Sequence, residues 1–188
     1  MLSNRLFHDF LLACDRALAD AQHARACVHC GAKLDVANYK RKPRGRPIAL
    51  GPEHNERFSF CCRRDGCRGR AMPPSLRFLG RRVYLAATVV LIAIVRSGAT
   101  AARLARLAEI IPVPPGTVLR WCAWWLDRFT ATPFWLVARA RFMPPVDERL
   151  LPASLLQRFA VPPEAGFHND QLLALLRFLG PLTGGRPR

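Results

Sequence analysis

The chain has 188 residues, of which 51% are hydrophobic, and its 29 Lys and Arg residues against 13 Asp and Glu residues give a formal net charge of +16. That length and hydrophobic content allow one moderate domain or two small ones with a real core, and exclude a chain too polar to fold. A positive charge this large on a compact chain indicates a polyanionic partner.

The positive charge is concentrated in the middle of the chain. Residues 1–35 are neutral overall, whereas residues 36–82 carry thirteen basic and three acidic groups, a net +10. Residues 83–142 carry a net +5 and residues 143–188 a net +1. The partner is therefore expected to meet the middle segments.

The first element is predicted to be an amphipathic helix within residues 1–23. Ser3 is the expected N-cap of a helix over 3–20. The apolar residues that recur at helical spacing, and define its expected buried face, are Leu6, Phe7, Phe10, Leu11, Cys14 and Leu18. Charged residues interrupt this segment, so we expect no signal peptide and a reducing cytoplasmic location, where thiolates bind metals.

Two cysteine knuckles dominate the next segment, 24–78. Cys27 and Cys30 form the first, and Cys62 and Cys67 form the second, with 31 residues between them. Two thiols on each of two tight turns suit a tetrahedral structural Zn²⁺ site, typical of a small β zinc ribbon. Cys61 is a rival ligand, but Asp65-Gly66 gives the turn that Cys62 needs. His29 and His54 could substitute as ligands, and some of the thiols could simply be buried.

A basic segment lies between two predicted strands of the ribbon. Leu34, Val36 and Tyr39 alternate like one strand, and Phe58 and Phe60 like another. Between them, residues 43–47 (Pro-Arg-Gly-Arg-Pro) reproduce the core of an AT-hook, which places arginines in the minor groove. The residues expected to contact DNA here are Lys40, Arg41, Lys42, Arg44 and Arg46. The alternative is a basic loop that touches phosphates anywhere.

The second knuckle is preceded by Phe58-Ser59-Phe60 and followed by an arginine-rich exit. In this it resembles the zinc ribbons of small phage transcription activators and the N-terminal zinc ribbons of insertion-sequence transposition proteins, over about residues 25–72. The resemblance implies a structural zinc ion and DNA contact. The exit arginines expected to contact DNA are Arg63, Arg64, Arg68 and Arg70.

A helical region is predicted over residues 79–142. A helix over 82–96 holds an apolar run of 13 residues, shorter than the roughly 20 that span a bilayer, so we expect a core helix and no membrane contact. Further helices are expected over 100–110 and 116–129. The predicted inner face of the last consists of Val118, Trp121, Cys122, Trp125 and Phe129.

The last two of these helices resemble the helix-turn-helix of many transposases and bacterial regulators. The resemblance is carried by residues 102–108 and by the string Thr117-Val118-Leu119-Arg120-Trp121. A recognition helix enters the major groove by its N-terminal half, so Thr117, Arg120 and Arg128 are expected to contact DNA. Trp124 and Asp127 are expected to face outward with them. A plain helical bundle with a solvated face is the alternative.

Residues 143–188 are leucine-rich and nearly neutral. Their last helix is predicted over 170–179, with Asn169 as its cap. We expect this segment to dock on the helical core or bind a partner protein, with simple core packing as the alternative.

The chain is predicted to be mostly α, without enzymatic activity. The four predicted segments are 1–23, 24–78, 79–142 and 143–188. A two-metal catalytic site needs several carboxylates on a sheet, and the late acidic residues of this chain lie among prolines without a strand pattern. Glycine-rich phosphate loops are absent from the sequence. We therefore expect a sequence-specific, nucleoid-associated DNA-binding protein: a transposition accessory factor beside a separate transposase or recombinase subunit, or a transcriptional regulator. An RNA-binding module and a structural scaffold are the alternatives.

Overall fold

The computed structural model shows a mostly α chain with a small antiparallel sheet, which confirms the coarse fold class. It describes residues 4–45, 50–79, 86–98, 105, 109, 113–160 and 168–184.

Helix α1 spans Arg5–His23, and its cap is Asn4, whose side chain accepts a hydrogen bond from the Leu6 N–H at 3.0 Å. Ser3, the predicted cap, lies outside the described residues. The predicted buried face was wrong in part, since Leu6 is 76% exposed. The residues that α1 buries are Phe7, His8, Leu11, Leu12, Asp15 and Ala19. The face is rotated because a buried partner holds the charged Asp15 inside.

The cysteine-containing segment 24–78, called the ribbon below, contains five short strands: β1 Leu34–Val36, β2 Tyr39–Lys40, β3 Glu56–Arg57, β4 Phe60–Cys62 and β5 Arg70–Ala71. Strands β1, β4 and β5 form one antiparallel sheet with β4 in the middle, and β2 pairs with β3 in a second. Strands of two or three residues bury little, so such a sheet needs another source of stability.

The helices that follow are α2 Ala86–Gly98, α3 Pro115–Ala123, α4 Pro133–Ala138, α5 Ala153–Gln157 and α6 His168–Leu179. Helix α3 continues as a π-helical stretch over Trp124–Phe129. Of the helix predicted over 100–110, only residues 105 and 109 are described, and both are helical. Helix α6 starts two residues before the predicted position and includes Asn169 instead of being capped by it.

One hydrophobic core joins the helical segments. Ala87, Val90 and Ile92 of α2 are buried in it, together with Trp125 and Leu175. The apolar run of α2 is thus a core helix, as predicted. No helix in the described ranges is both long and apolar enough to cross a membrane.

A buried polar network fastens the ribbon to the rest of the chain. The guanidinium of Arg77 pairs with Asp15 of α1 and also donates to the carbonyls of His54 and Glu56. The guanidinium of Arg57 in β3 donates to the carbonyls of Pro73 and Thr183. The ribbon therefore has a fixed base on α1 and on the chain after α6.

Candidate metal centre and the basic surface around it

Four cysteine thiols converge at one end of the three-stranded sheet. The Sγ atoms of Cys27, Cys30, Cys62 and Cys67 all lie within 4.8 Å of one another. Cys30 and Cys62 approach to 3.4 Å, and Cys27 and Cys67 to 3.8 Å, so each close pair joins the two knuckles. Cys61 lies outside the cluster, and its thiol donates to the Arg68 carbonyl at 3.6 Å.

Tight turns aim the thiols inward. Gly31 and Gly66 have φ angles of +69° and +85°, which glycine adopts without strain. Gly69 lies against the first knuckle: a β-carbon there would come within 2.8 Å of the His29 ring, and would touch the sulfurs of Cys27 and Cys67 at 3.5 Å. A glycine at this position thus leaves room for the His29 side chain beside the cluster.

The thiols differ strongly in acidity. A hydrogen bond from the His29 N–H helps to lower the pKa of Cys27 to about 7. Burial raises the pKa of Cys62 to about 12, and neighbouring thiols add to the shift. The pKa of Cys67 is raised as well, because neighbouring thiols and burial outweigh a hydrogen bond from the Gly69 N–H. The lowered pKa of Cys27 and the raised pKa values of Cys62 and Cys67 fit a cluster in which neighbouring thiolates would repel one another.

The donor set and its spacing fit a divalent metal ion such as Zn²⁺. A tetrahedral site with Zn–S bonds of about 2.3 Å places its sulfurs about 3.8 Å apart, close to the observed pair distances. Among the described residues, no other group of three or more His, Cys, Asp or Glu side chains lies close enough to hold an ion. The predicted histidine substitutes, His29 and His54, are not members of this group.

Two of the four arginines predicted to contact DNA at the second knuckle are paired with carboxylates. The Arg63 guanidinium donates to both oxygens of Asp35, at 2.7 and 3.3 Å for the closest approach to each. This contact lowers the pKa of Asp35. Arg68 pairs with Asp65 at 3.0 Å. Arg64 is exposed and forms no ion pair with any described residue.

The AT-hook interpretation does not agree with the placement of Gly45. That glycine is buried, and its carbonyl accepts a hydrogen bond from the hydroxyl of Thr88 in α2 at 3.1 Å. A glycine fixed against the helical core cannot enter a minor groove. Arg44 is exposed, and Arg46 lies outside the described residues. The alternative, a basic segment that contacts phosphates, stays a prediction.

The predicted recognition helix keeps two of its three proposed DNA contacts on the surface. Arg120 and Arg128 are exposed, but Thr117 is only 1% exposed. The prediction that Thr117 faces outward was wrong: it lies in the first turn of α3, and its side chain is buried. Its hydroxyl accepts a hydrogen bond from the Arg120 guanidinium at 2.9 Å. Trp124, also predicted to face outward, is partly buried against the core.

The sequence prediction missed Tyr39 as part of the basic surface. The guanidinium carbons of Arg41 and Arg70 lie 4.6 and 5.7 Å from the centre of its ring. Tyr39 was predicted only as a strand residue, and its distance of 31 positions from Arg70 conceals the contact. A tyrosine directly before a run of cations is the only local signal.

No known protein family, curated protein or solved structure matches this chain significantly. The fold and the site define a mostly α protein with a small sheet and a four-cysteine cluster able to hold a metal ion. Its function is inferred from the geometry and charge of that site.

Proposed function

We propose that this chain is a zinc-stabilised protein that binds double-stranded DNA sequence-specifically, as a transposition accessory factor or a transcriptional regulator of a mobile element. The observation that carries the proposal is the convergence of four thiols beneath a surface rich in cations. The segment 36–82 has a net charge of +10, and it contains Cys62 and Cys67, two of the four cysteines of the cluster.

The metal has a structural role in this proposal. Cys27, Cys30, Cys62 and Cys67 would hold Zn²⁺, which supplies a cross-link between two turns and no reaction chemistry. Four thiol ligands leave no open coordination position for water. The strands are too short to hold the ribbon by packing alone, so the ion stabilises the surface that presents the cations.

Sequence recognition is assigned to the exposed face of α3 and its π-helical continuation. Arg120 and Arg128 are exposed there, and an arginine reaches guanine O6 and N7 in the major groove. Thr117 acts behind this face: its hydroxyl accepts a hydrogen bond from Arg120, so it orients that side chain instead of contacting DNA. The cations of the ribbon supply affinity that does not depend on sequence.

The proposed setting is the bacterial nucleoid, and a separate transposase or recombinase subunit would carry out any strand chemistry. RNA binding is the main competing function, since the same arginines would suit structured RNA. The second competing function is a structural scaffold whose positive charge is incidental. It predicts weak binding to any nucleic acid, without sequence preference.

The test compares how tightly the zinc-loaded protein binds two kinds of nucleic acid. Binding to random duplex DNA and to structured RNA is measured at about 0.15 M salt, where non-specific electrostatic binding is weakened. Selection from a random duplex pool follows. The proposal predicts tighter binding to duplex DNA and enrichment of a motif. Tighter RNA binding, or a pool that stays unenriched, would overturn it.

A further inference from the structure

Two groups of exposed cations in the ribbon differ in a way that the sequence does not show. At the second knuckle, Arg63 and Arg68 each lie against a carboxylate. An arginine held by a carboxylate has its charge matched locally and its donors occupied. The paired carboxylate offsets the charge of each, so these two residues attract a further anion less strongly than an unpaired arginine does.

A second group lies around Tyr39, where β2 and β5 come together. Arg41 donates to the Tyr39 hydroxyl at 3.2 Å, and the guanidinium carbons of Arg41 and Arg70 both lie within 6 Å of the ring centre. The hydroxyl in turn contacts the sulfur of Met72 at 3.6 Å. The ring of Tyr39 thus contacts the guanidinium groups of two arginines, one directly after β2 and the other in β5.

No carboxylate in the described part of the chain forms an ion pair with either arginine. The same holds for Lys40, Lys42 and Arg44, which are exposed beside them. Lys40 lies opposite Glu56 in the β2–β3 register, but the two side chains do not pair. The Tyr39 edge, meaning Tyr39 with Lys40, Arg41, Lys42, Arg44 and Arg70, is a cluster of unmatched positive charge.

The backbone of this edge is well supported. The Arg41 N–H donates to the Asn55 carbonyl at 2.8 Å, and the neighbouring Gly45 carbonyl is held by Thr88. Like charges gathered on a fixed frame repel one another, so the arrangement gains stability when an anion approaches.

We infer that the Tyr39 edge is a binding site for the phosphodiester backbone of duplex DNA, with Arg41 and Arg70 as its principal phosphate contacts and Tyr39 as their positioning residue. This inference rests on the proposed function. A guanidinium donates two parallel hydrogen bonds to a phosphate, and contact with each phosphate releases condensed counterions. The edge therefore fixes the register of the protein on the duplex, while the paired Arg63 and Arg68 stay out of contact.

The experiment measures the salt dependence of duplex binding for charge-matched variants. Arg41→Gln and Arg70→Gln each remove one positive charge, as does the control Arg63→Gln. A second control, Asp35→Asn with Arg63→Gln, removes the ion pair without changing net charge. The slope of log K against log salt is negative. Arg41→Gln and Arg70→Gln should each reduce its magnitude by about 1, and the double variant by about 2. Both controls should keep the parental slope.

Tyr39→Phe and Tyr39→Ala test the positioning role. Tyr39→Phe keeps the ring and should keep the slope, whereas Tyr39→Ala should lower it even though no charge is lost. Bound zinc and thermal midpoint are measured for each variant, and Arg41→Ala or Arg70→Ala, which also removes the charge, replaces the corresponding glutamine variant if that variant loses metal.

Equal slope losses in Arg63→Gln and Arg41→Gln would overturn the Tyr39 edge while leaving DNA binding intact. Undisturbed slopes in the two edge variants would do the same. Complete failure of the parental protein to bind duplex DNA would instead reject the proposed function. Tighter binding to structured RNA with the same slope losses would reject DNA as the ligand of this edge.

Discussion

The carboxylate of Asp15 and the guanidinium of Arg77 form an ion pair at 2.8 Å in which both side chains are fully buried. Asp15 also accepts hydrogen bonds from the Ser75 hydroxyl and the Leu76 N–H. Burial lowers the pKa of Arg77, and Asp15 opposes that shift. Since α1 carries Asp15 and the end of the ribbon carries Arg77, this pair joins the two.

Asp15→Ala should be among the most destabilising single substitutions in the chain. It leaves the buried Arg77 charge without its partner, which costs about 3–5 kcal/mol of unfolding free energy in comparable buried pairs. Denaturant unfolding monitored by circular dichroism measures the loss. Asp65→Ala breaks the exposed pair with Arg68 and is the matched control, because exposed pairs contribute little. Comparable midpoint shifts in the two variants would contradict the structural role of Asp15.

Cys30→Ser should abolish stoichiometric zinc binding and disorder the ribbon, since a structural ion supplies folding free energy. Cys61→Ser, one position from a ligand in sequence but outside the thiol cluster, should keep both metal and fold. Elemental analysis of protein purified without chelators and near-UV circular dichroism give the two readouts. The ligand assignment fails if Cys30→Ser retains its metal, or if Cys61→Ser loses it.

Zinc affinity should fall steeply as the pH is lowered. Protons compete with the ion for thiolates, and the raised pKa values of Cys62 and Cys67 mean that at least these two protons must leave on binding at neutral pH. Below the Cys27 pKa of about 7, a further proton must leave. The apparent affinity is expected to drop about 100-fold or more per pH unit between about pH 8 and 6. Competition with a chromophoric chelator measures it, and a flat profile would exclude thiolate ligation.

Thr88→Val should lower the unfolding free energy by about 1–3 kcal/mol, because it leaves the buried carbonyl of Gly45 without a hydrogen-bond donor. Valine has a similar volume, so the packing around it is kept. Thr130→Val removes a hydroxyl that donates to the Leu126 carbonyl at a more exposed position, and should cost less. Amide hydrogen exchange at residues 41–45 should increase in Thr88→Val only. Unchanged exchange there would show that the hydroxyl does not hold the basic segment.

Arg120→Ala should weaken binding to the selected duplex by about 1–3 kcal/mol and relax preference at one base position. Arg149→Ala, which removes an exposed arginine outside α3, should leave the base preference unchanged. Selection from random duplexes with each variant compares the two. A motif unchanged by Arg120→Ala would remove α3 from sequence reading.

The parts of the fold that depend on local pattern were predictable. Cysteine spacing was enough to predict that the four thiols lie together, and helical periodicity was enough to predict that Trp121, Trp125 and Phe129 are buried. The uninterrupted apolar run likewise indicated the core position of α2. In each case the signal is a short local pattern, although the cysteine prediction combines two such patterns that lie 31 residues apart.

The features that escaped prediction depend on contacts between distant parts of the chain. The buried face of α1 turns on Asp15, whose partner is 62 residues away. The matching of Arg63 by Asp35 depends on the β1–β4 register, which opposes Leu34 to Cys62. Gly45 was placed in a groove-binding motif by its neighbours, although a hydroxyl of α2 holds it inside. Charge and motif alone do not reveal which cations are already neutralised.

Thr183 completes the base of the ribbon from the far end of the sequence. Its hydroxyl accepts the Ser75 N–H at 2.6 Å, and its carbonyl accepts the Arg57 guanidinium. During synthesis the cysteines therefore leave the ribosome long before this support is made. Until residue 183 leaves the ribosome, the nascent ribbon lacks the hydrogen bonds that Thr183 makes to Ser75 and Arg57. An ion bound before that point would therefore bind before the ribbon docks on the chain after α6.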